Sequence, residues 1–350
     1  MKKSHLTALA IVFLGLVVLW YYEQMPEKTN VKGLYVSVSK DFDRDSIKSI
    51  EAIVLSHPEE RLELVRQKGG WKVRLTKKGQ RFWARAKKTK VERLLSLLAG
   101  LQGEPRAKGK KYLSTFGLDK GEGLKITLKN GSKEVLTVTV GSKGPDWGSS
   151  FLRVGSSDTV YLVSRDILSV FDIWSKRPEK GLDLEPWVDL DVLSVFPSGI
   201  KMCSLDAGEK SWSLSRITKD GKAKGNPDTW RFKKGGQVTE KTSKQVMEYL
   251  SKLIPLRAKD VVPPSEGEKW GGRGSNKTPE SFSCLLKSGP LRQVEIGGCL
   301  KGSKRCLVKA NGFAYEVDYS WVQDVENPFE KEKKVDATGS KKTGKSVKKD

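Results

Sequence analysis

The sequence predicts an α+β protein: two tandem repeats of mainly antiparallel sheet with one packed helix each, preceded by a single N-terminal transmembrane helix. Three observations carry this. There is one uncharged apolar run near the N-terminus, there are two amphipathic helical faces with the same internal spacing, and similar short alternating segments follow each face in the same order. A chain of 350 residues has room for about two domains of roughly 150 residues each. Its 37% hydrophobic content and ten Trp supply cores that a disordered chain lacks.

The N-terminus reads "MKKSHLTALAIVFLGLVVLWYYEQMPEK". Lys2 and Lys3 precede an uncharged run from Leu6 to Tyr22. Its seventeen residues, at about 1.5 Å of rise each, lie at the short end of what crosses a hydrocarbon core of about 30 Å. A cleaved signal peptide and a buried helix are the alternatives. A signal peptide ends in small residues at its cleavage site, whereas this run ends in Trp20, Tyr21 and Tyr22, side chains suited to a headgroup interface. Residues 6–22 are therefore expected to be an uncleaved signal-anchor, with residues 1–5 cytoplasmic. With lysines before the span and Glu23 after it, the rest of the chain is expected outside the bacterial inner (cytoplasmic) membrane, in the periplasm.

Two helical segments then share one pattern. "KVERLLSLLAGL" places Val91, Leu94, Leu95, Leu98 and Leu101 on one face. "QVMEYLSKLIPL" places Val246, Tyr249, Leu250, Leu253 and Leu256 at the same spacings, 155 residues later. One such face is an ordinary amphipathic helix, but here the neighbours match too. Trp71 in "GGWKVRL" and Trp230 in "DTWRFKK" precede the helices. "GLKITLKNG" and "SFSCLLKSG" follow them, alternating like half-buried strands before a turn. Next come "VLTVTVG" and "LRQVEIGG", and last "FLRVGSSDTVYLV" and "CLVKANGFAYEVD", each two short strands around a turn. The expected modules are residues 30–180 and 181–330, joined where Pro178, Gly181 and Pro186 interrupt the pattern. Short connections require antiparallel pairing, with the helix closing one face of each sheet.

A formal net charge of +23 ordinarily points to nucleic acid, but the expected topology puts the basic surface against anionic lipid headgroups or envelope polymers. Residues 331–350 carry eight Lys against three acids and no aromatic residue, the composition of a disordered basic tail. The remaining excess is spread along the chain, as on a solvated surface.

Catalytic and metal-binding patterns are not apparent. Of the two His, His5 precedes the anchor and His57 precedes Pro58, too few to build a metal triad, and a surface role is expected for His57. The four Cys make no C-x-x-C motif. Cys299 and Cys306 flank "LKGSKR" between two predicted antiparallel strands, where their Cα atoms could reach the roughly 5.5 Å of a disulfide. They are the candidate bridge. Cys203 and Cys284, on predicted core strands, are a weaker second pair, and a free buried Cys behaves there as a small hydrophobe. "GGRGSNKTPE" has Lys277 but not the glycine a phosphate loop needs before it, and Pro279 opposes a helix start. In the hairpin loop "GSKGPDWGSS", Trp147 either folds back on its own sheet or contacts a partner. No enzymatic activity, cofactor, metal or nucleic-acid partner is expected.

Tyr112, the run Phe116-Gly117-Leu118-Asp119, "VLTVTVG" and "FLRVGSSDTVYLV", with the upstream "GGWKVRL" and "VERLLSLLAGL", resemble the bacterial domain-of-unknown-function family 4340. The resemblance covers residues 1 to about 165; the second half shows no counterpart of Phe-Gly-Leu-Asp. It implies a membrane-anchored extracytoplasmic protein, often associated with ABC-type export systems, and no catalytic residues. In that motif Gly117 is expected to supply a special backbone conformation and Asp119 to cap the turn. The function expected is that of an interaction protein, an accessory component of an ABC-type transport system. The alternative is a binder of anionic envelope polymer or lipid surfaces.

Overall fold

The computed structural model describes residues 35–40, 42–58, 60–178, 182–217, 229–269, 280–299 and 304–329. The expected anchor at 6–22, the tail at 331–350 and most of "GGRGSNKTPE" lie outside them. Among the described residues no helix is long and apolar enough to cross a membrane. The chain divides into two compact units: one takes residues up to Arg74 and Ala86–Trp187, the other Leu75–Arg85 and everything from Val188.

The first sheet opens with the strands β1 (Val36–Ser37), β2 (Ala52–His57), β3 (Glu60–Gln67), β4 (Gly70–Lys77) and β5 (Gln80–Arg85). Helix α1 (Lys88–Leu98) follows, then β6 (Gln102–Lys108), β7 (Leu124–Asn130), β8 (Lys133–Lys143), β9 (Ser150–Val154) and β10 (Thr159–Val163). They form a ten-stranded sheet in the order β1-β6-β10-β9-β8-β7-β2-β3-β4-β5. Of the β4–β5 hairpin, Leu75–Arg85 is grouped with the second unit, an allocation that period and turn signals do not announce. The helix buries Val91, Leu94, Leu95 and Leu98, and Leu101 behind it is also buried. Along β7 the alternating Leu124, Ile126 and Leu128 are fully buried.

The second unit begins with β11 (Asp191–Leu193), β12 (Ile200–Asp206), β13 (Trp212–Arg216), β14 (Thr229–Lys234) and β15 (Gln237–Thr242). Then come α2 (Ser243–Leu253), β16 (Leu256–Arg257), β17 (Asp260–Val262) and the short α3 (Pro264–Lys269). The chain closes with β18 (Glu280–Leu286), β19 (Arg292–Cys299), β20 (Arg305–Ala310), β21 (Phe313–Asp318) and α4 (Tyr319–Glu326). β11 and β16 make a separate pair; the others form a nine-stranded sheet in the order β15-β14-β13-β12-β18-β19-β20-β21-β17. Helix α2 opens on a capping box, Thr242 with Gln245, and buries Val246, Tyr249, Leu250 and Leu253. The β20–β21 hairpin turns at Asn311 and Gly312, with φ of 53° and 80°, and pairs Ala310 with Phe313 across it. Asn-Gly is the pair that a two-residue turn with positive φ at both positions favours.

Matching β2–β5 with β12–β15, α1 with α2, β6 with β17 and β7–β10 with β18–β21 gives one strand order in both sheets. The correspondence reaches individual side chains. Arg66 lies opposite Trp71 on β3 and β4, and Arg216 lies opposite Trp230 on β13 and β14. Each guanidinium stands over its indole ring, 4.8 Å from the centroid in the first unit and 4.7 Å in the second. In both arginines Nε is buried without a hydrogen-bond acceptor, so the ring's negative face takes the acceptor's place.

Candidate functional site: two tryptophans around a buried lysine

Among the described residues of the first unit, the most exposed aromatic side chains are Trp147 and Trp174, 55% and 67% exposed. Between them lies the ammonium of Lys143, a residue only 3% exposed. Its Nζ sits 5.6 Å from the Trp147 ring centroid and 5.3 Å from that of Trp174. Asp166 Oδ2 accepts from it at 3.2 Å, and Asp166 Oδ1 is itself held by the Ser169 amide at 3.1 Å. Burying a lone ammonium is costly. Here the charge is met by a carboxylate and two ring faces, each ring contributing on the order of 0.5–2 kcal/mol.

Local backbone geometry brings these groups together. Lys143 ends β8, and its amide donates to the Lys176 carbonyl at 2.8 Å, which holds the segment carrying Trp174 alongside. The loop after it closes through Gly144 N to Ser149 O at 3.0 Å and Trp147 N to Gly144 O at 3.3 Å, with Ser149 Oγ donating to Asp146. Trp147 takes a left-handed conformation, φ 58°, which costs an L-residue about 1–2 kcal/mol. Trp147 is thus an exposed, bulky aromatic residue held in a strained conformation over a buried lysine and its half-buried carboxylate partner, not a core side chain.

The Phe-Gly-Leu-Asp motif is the foundation of this loop. Gly117 adopts φ 65°, and Leu118 is buried in a cluster with Leu113 and Val160, against which Phe116 and Phe151 pack, their ring centroids 4.5 Å apart. The Asp119 carboxylate accepts from the Lys120 amide at 2.7 Å, and its carbonyl from the Glu122 amide at 3.1 Å. The carbonyls of Phe116 and Gly117 occupy the space that a Cβ on Gly141 would need, two residues before Lys143. The motif thus fixes the end of β8 from which Lys143 and Trp147 project.

In the second unit, Cys299 and Cys306 are opposed across β19 and β20, and the structure joins their sulfurs with Cα atoms 4.0 Å apart. Cys203 and Cys284 are free and buried. The same unit holds a cleft of about 490 Å³ lined by Phe82, Val262, Leu291, Glu295, Lys309 and Phe313, among others. His57, expected at the surface, is half-buried, with Nε2 2.8 Å from the Pro178 carbonyl. Its position next to Pro58 gave no sign of this, because the partner lies more than a hundred residues away. Among the described residues no group of three or more His, Cys, Asp or Glu could hold a metal ion.

Of the residues singled out from sequence, Trp147 alone takes part in the tryptophan surface; Cys299 and Cys306 lie in the second unit. Lys143, Asp166 and Trp174 escaped notice. The only signal for them was a large apolar residue stranded in the polar stretch "DIWSKRPEK".

Residues 103–271 match a domain of unknown function (DUF4340), and the chain resembles that family over this stretch, which includes the Phe-Gly-Leu-Asp motif and β7–β10. No curated protein and no solved structure matches the chain.

Proposed function

We propose that this protein is a membrane-anchored extracytoplasmic interaction protein built from two copies of one module, an accessory component of an ABC-type transport system. Its contact surface for a protein partner is the Trp147–Trp174 pair. The observation that carries this reading is the pair itself: two large exposed indoles backed by a buried lysine that is paired with a half-buried carboxylate, the kind of anchor that dominates binding energy at interfaces. The apolar segment at 6–22 with lysines before it supports the anchor. The common strand order and the matching Arg–Trp pairs support duplication. The transport association rests on the family resemblance.

Crosslinking in intact cells followed by mild solubilisation tests it. The wild-type chain should carry transporter subunits with it. Trp147→Ala combined with Trp174→Ala should reduce recovery about tenfold or more, since truncating central aromatic anchors costs about 2 kcal/mol or more. Equal recovery with the double variant, or no transporter subunit with the wild type, would contradict the reading.

One observation favours the alternative, an anionic polymer or lipid surface as ligand. Arg106, Lys108, Lys110 and Lys111 are exposed in close succession, Lys111 lying over the Tyr112 ring at 5.0 Å. That reading expects co-sedimentation with vesicles rich in anionic lipid at low ionic strength. Binding should fall steeply as salt shortens the screening length from about 30 Å at 0.01 M to about 8 Å at 0.15 M.

A further inference from the structure

The β12–β18 contact is the seam of the second unit's sheet. β12 to β15 form one run of successive neighbours and β18 to β21 another, and only β12 and β18 join the two runs. At this seam Cys203 stands directly opposite Cys284, and both are fully buried. The corresponding pair in the first unit is Leu55 opposite Ile126 on β2 and β7, an ordinary apolar contact. The second unit places a thiol on each side at that point.

We propose that Cys203 and Cys284 are a redox pair that closes into a second disulfide across the seam when the chain folds in the presence of a disulfide oxidant. A thiolate on one cysteine attacks the oxidant's disulfide, forming a mixed disulfide and releasing one thiol. The other cysteine then displaces the second thiol. Overall the two cysteines lose two electrons and two protons, and the oxidant's disulfide becomes two thiols.

The folded dithiol is poorly placed to start this reaction. Its neighbour Cys284 and burial in the seam push the Cys203 thiol far above its ordinary range, which suppresses the thiolate that must attack. The bond therefore closes while β12 and β18 are still accessible, before the sheet shuts. Once formed, it spans 81 residues of sequence, a loop long enough for substantial restriction of the unfolded chain.

The test uses the full chain, solubilised in mild detergent, reduced and unfolded, then refolded in a buffer of oxidised and reduced glutathione. Denaturing alkylation and peptide mass mapping should find no alkylated Cys203 or Cys284 and a peptide joining them. Wild-type protein refolded oxidatively should melt on the order of 10 °C above the same protein refolded under reductant. Most of that difference should persist with Cys299→Ala plus Cys306→Ala, and in that background it should disappear when Cys203→Ala is added. Quantitative alkylation of Cys203 and Cys284 after oxidative refolding would overturn the proposal, and so would links from either to Cys299 or Cys306. The mass map on the wild type decides the matter even if a variant fails to fold.

Discussion

Replacing Gly141 by Ala is expected to destabilise the first unit by about 3–5 kcal/mol, a large share of the stability of an ordinary domain. A Cβ at this position would lie 2.8 Å from the Gly117 carbonyl and 2.9 Å from Leu118 Cδ2, with the Phe116 carbonyl closer still. Two of these obstacles are backbone oxygens, so no rotamer change clears them. To admit one methyl group, the Phe-Gly-Leu-Asp turn would have to lift from β8. That would separate Leu118 from Leu113 and Val160 and loosen the strand end that presents Lys143 and Trp147. Gly131→Ala is the control. Gly131 sits at positive φ, 57°, but a methyl group added there would meet nothing within 4 Å, so the change should cost about 1–2 kcal/mol of backbone strain. Urea denaturation followed through the first unit's tryptophans measures both. A Gly141→Ala effect no larger than that of Gly131→Ala would mean that the turn does not rest on β8 as described.

What the sequence disclosed and what it concealed divide along a physical line. Helix faces and tight hairpins are local: Val91 to Leu98 and Val246 to Leu253 announce themselves by a 3.6-residue period, and Asn311-Gly312 by the backbone it demands. The Trp147–Lys143–Trp174 surface is not local. It depends on one backbone bond from Lys143 to Lys176 and on an ion pair to Asp166, neither of which leaves a periodic trace. Cys203 and Cys284 were legible as a second candidate pair, but not their direct opposition, for a related reason. Their strands are not consecutive, so no turn length fixes the register. Trp71 and Trp230 were legible as matching landmarks, but the arginines over them became visible only once β3 with β4 and β13 with β14 were paired residue by residue.

Those arginines lead to the second large effect. Trp230→Ala is expected to cost about 3–5 kcal/mol, the range for emptying a buried aromatic site. Trp230 is fully buried, its Nε1 donates to Ser243 Oγ at 3.2 Å in the first turn of α2, and its ring takes the Arg216 guanidinium at 4.7 Å. Removing the ring therefore leaves a cavity, an arginine that has lost its face partner, and a helix start detached from the strand that orients it. Trp230→Phe keeps most of the apolar volume and the aromatic face but loses the indole donor, so it should cost about 1–2 kcal/mol. Arg216→Ala, which spares the core, should cost about 0.5–2 kcal/mol. Hydrogen exchange across β12–β15 and α2 separates the contributions. Trp230→Ala should accelerate exchange in all of them, and Arg216→Ala chiefly in β13 and β14. If both variants shift exchange equally, the guanidinium rather than the buried ring is what joins this sheet to its helix.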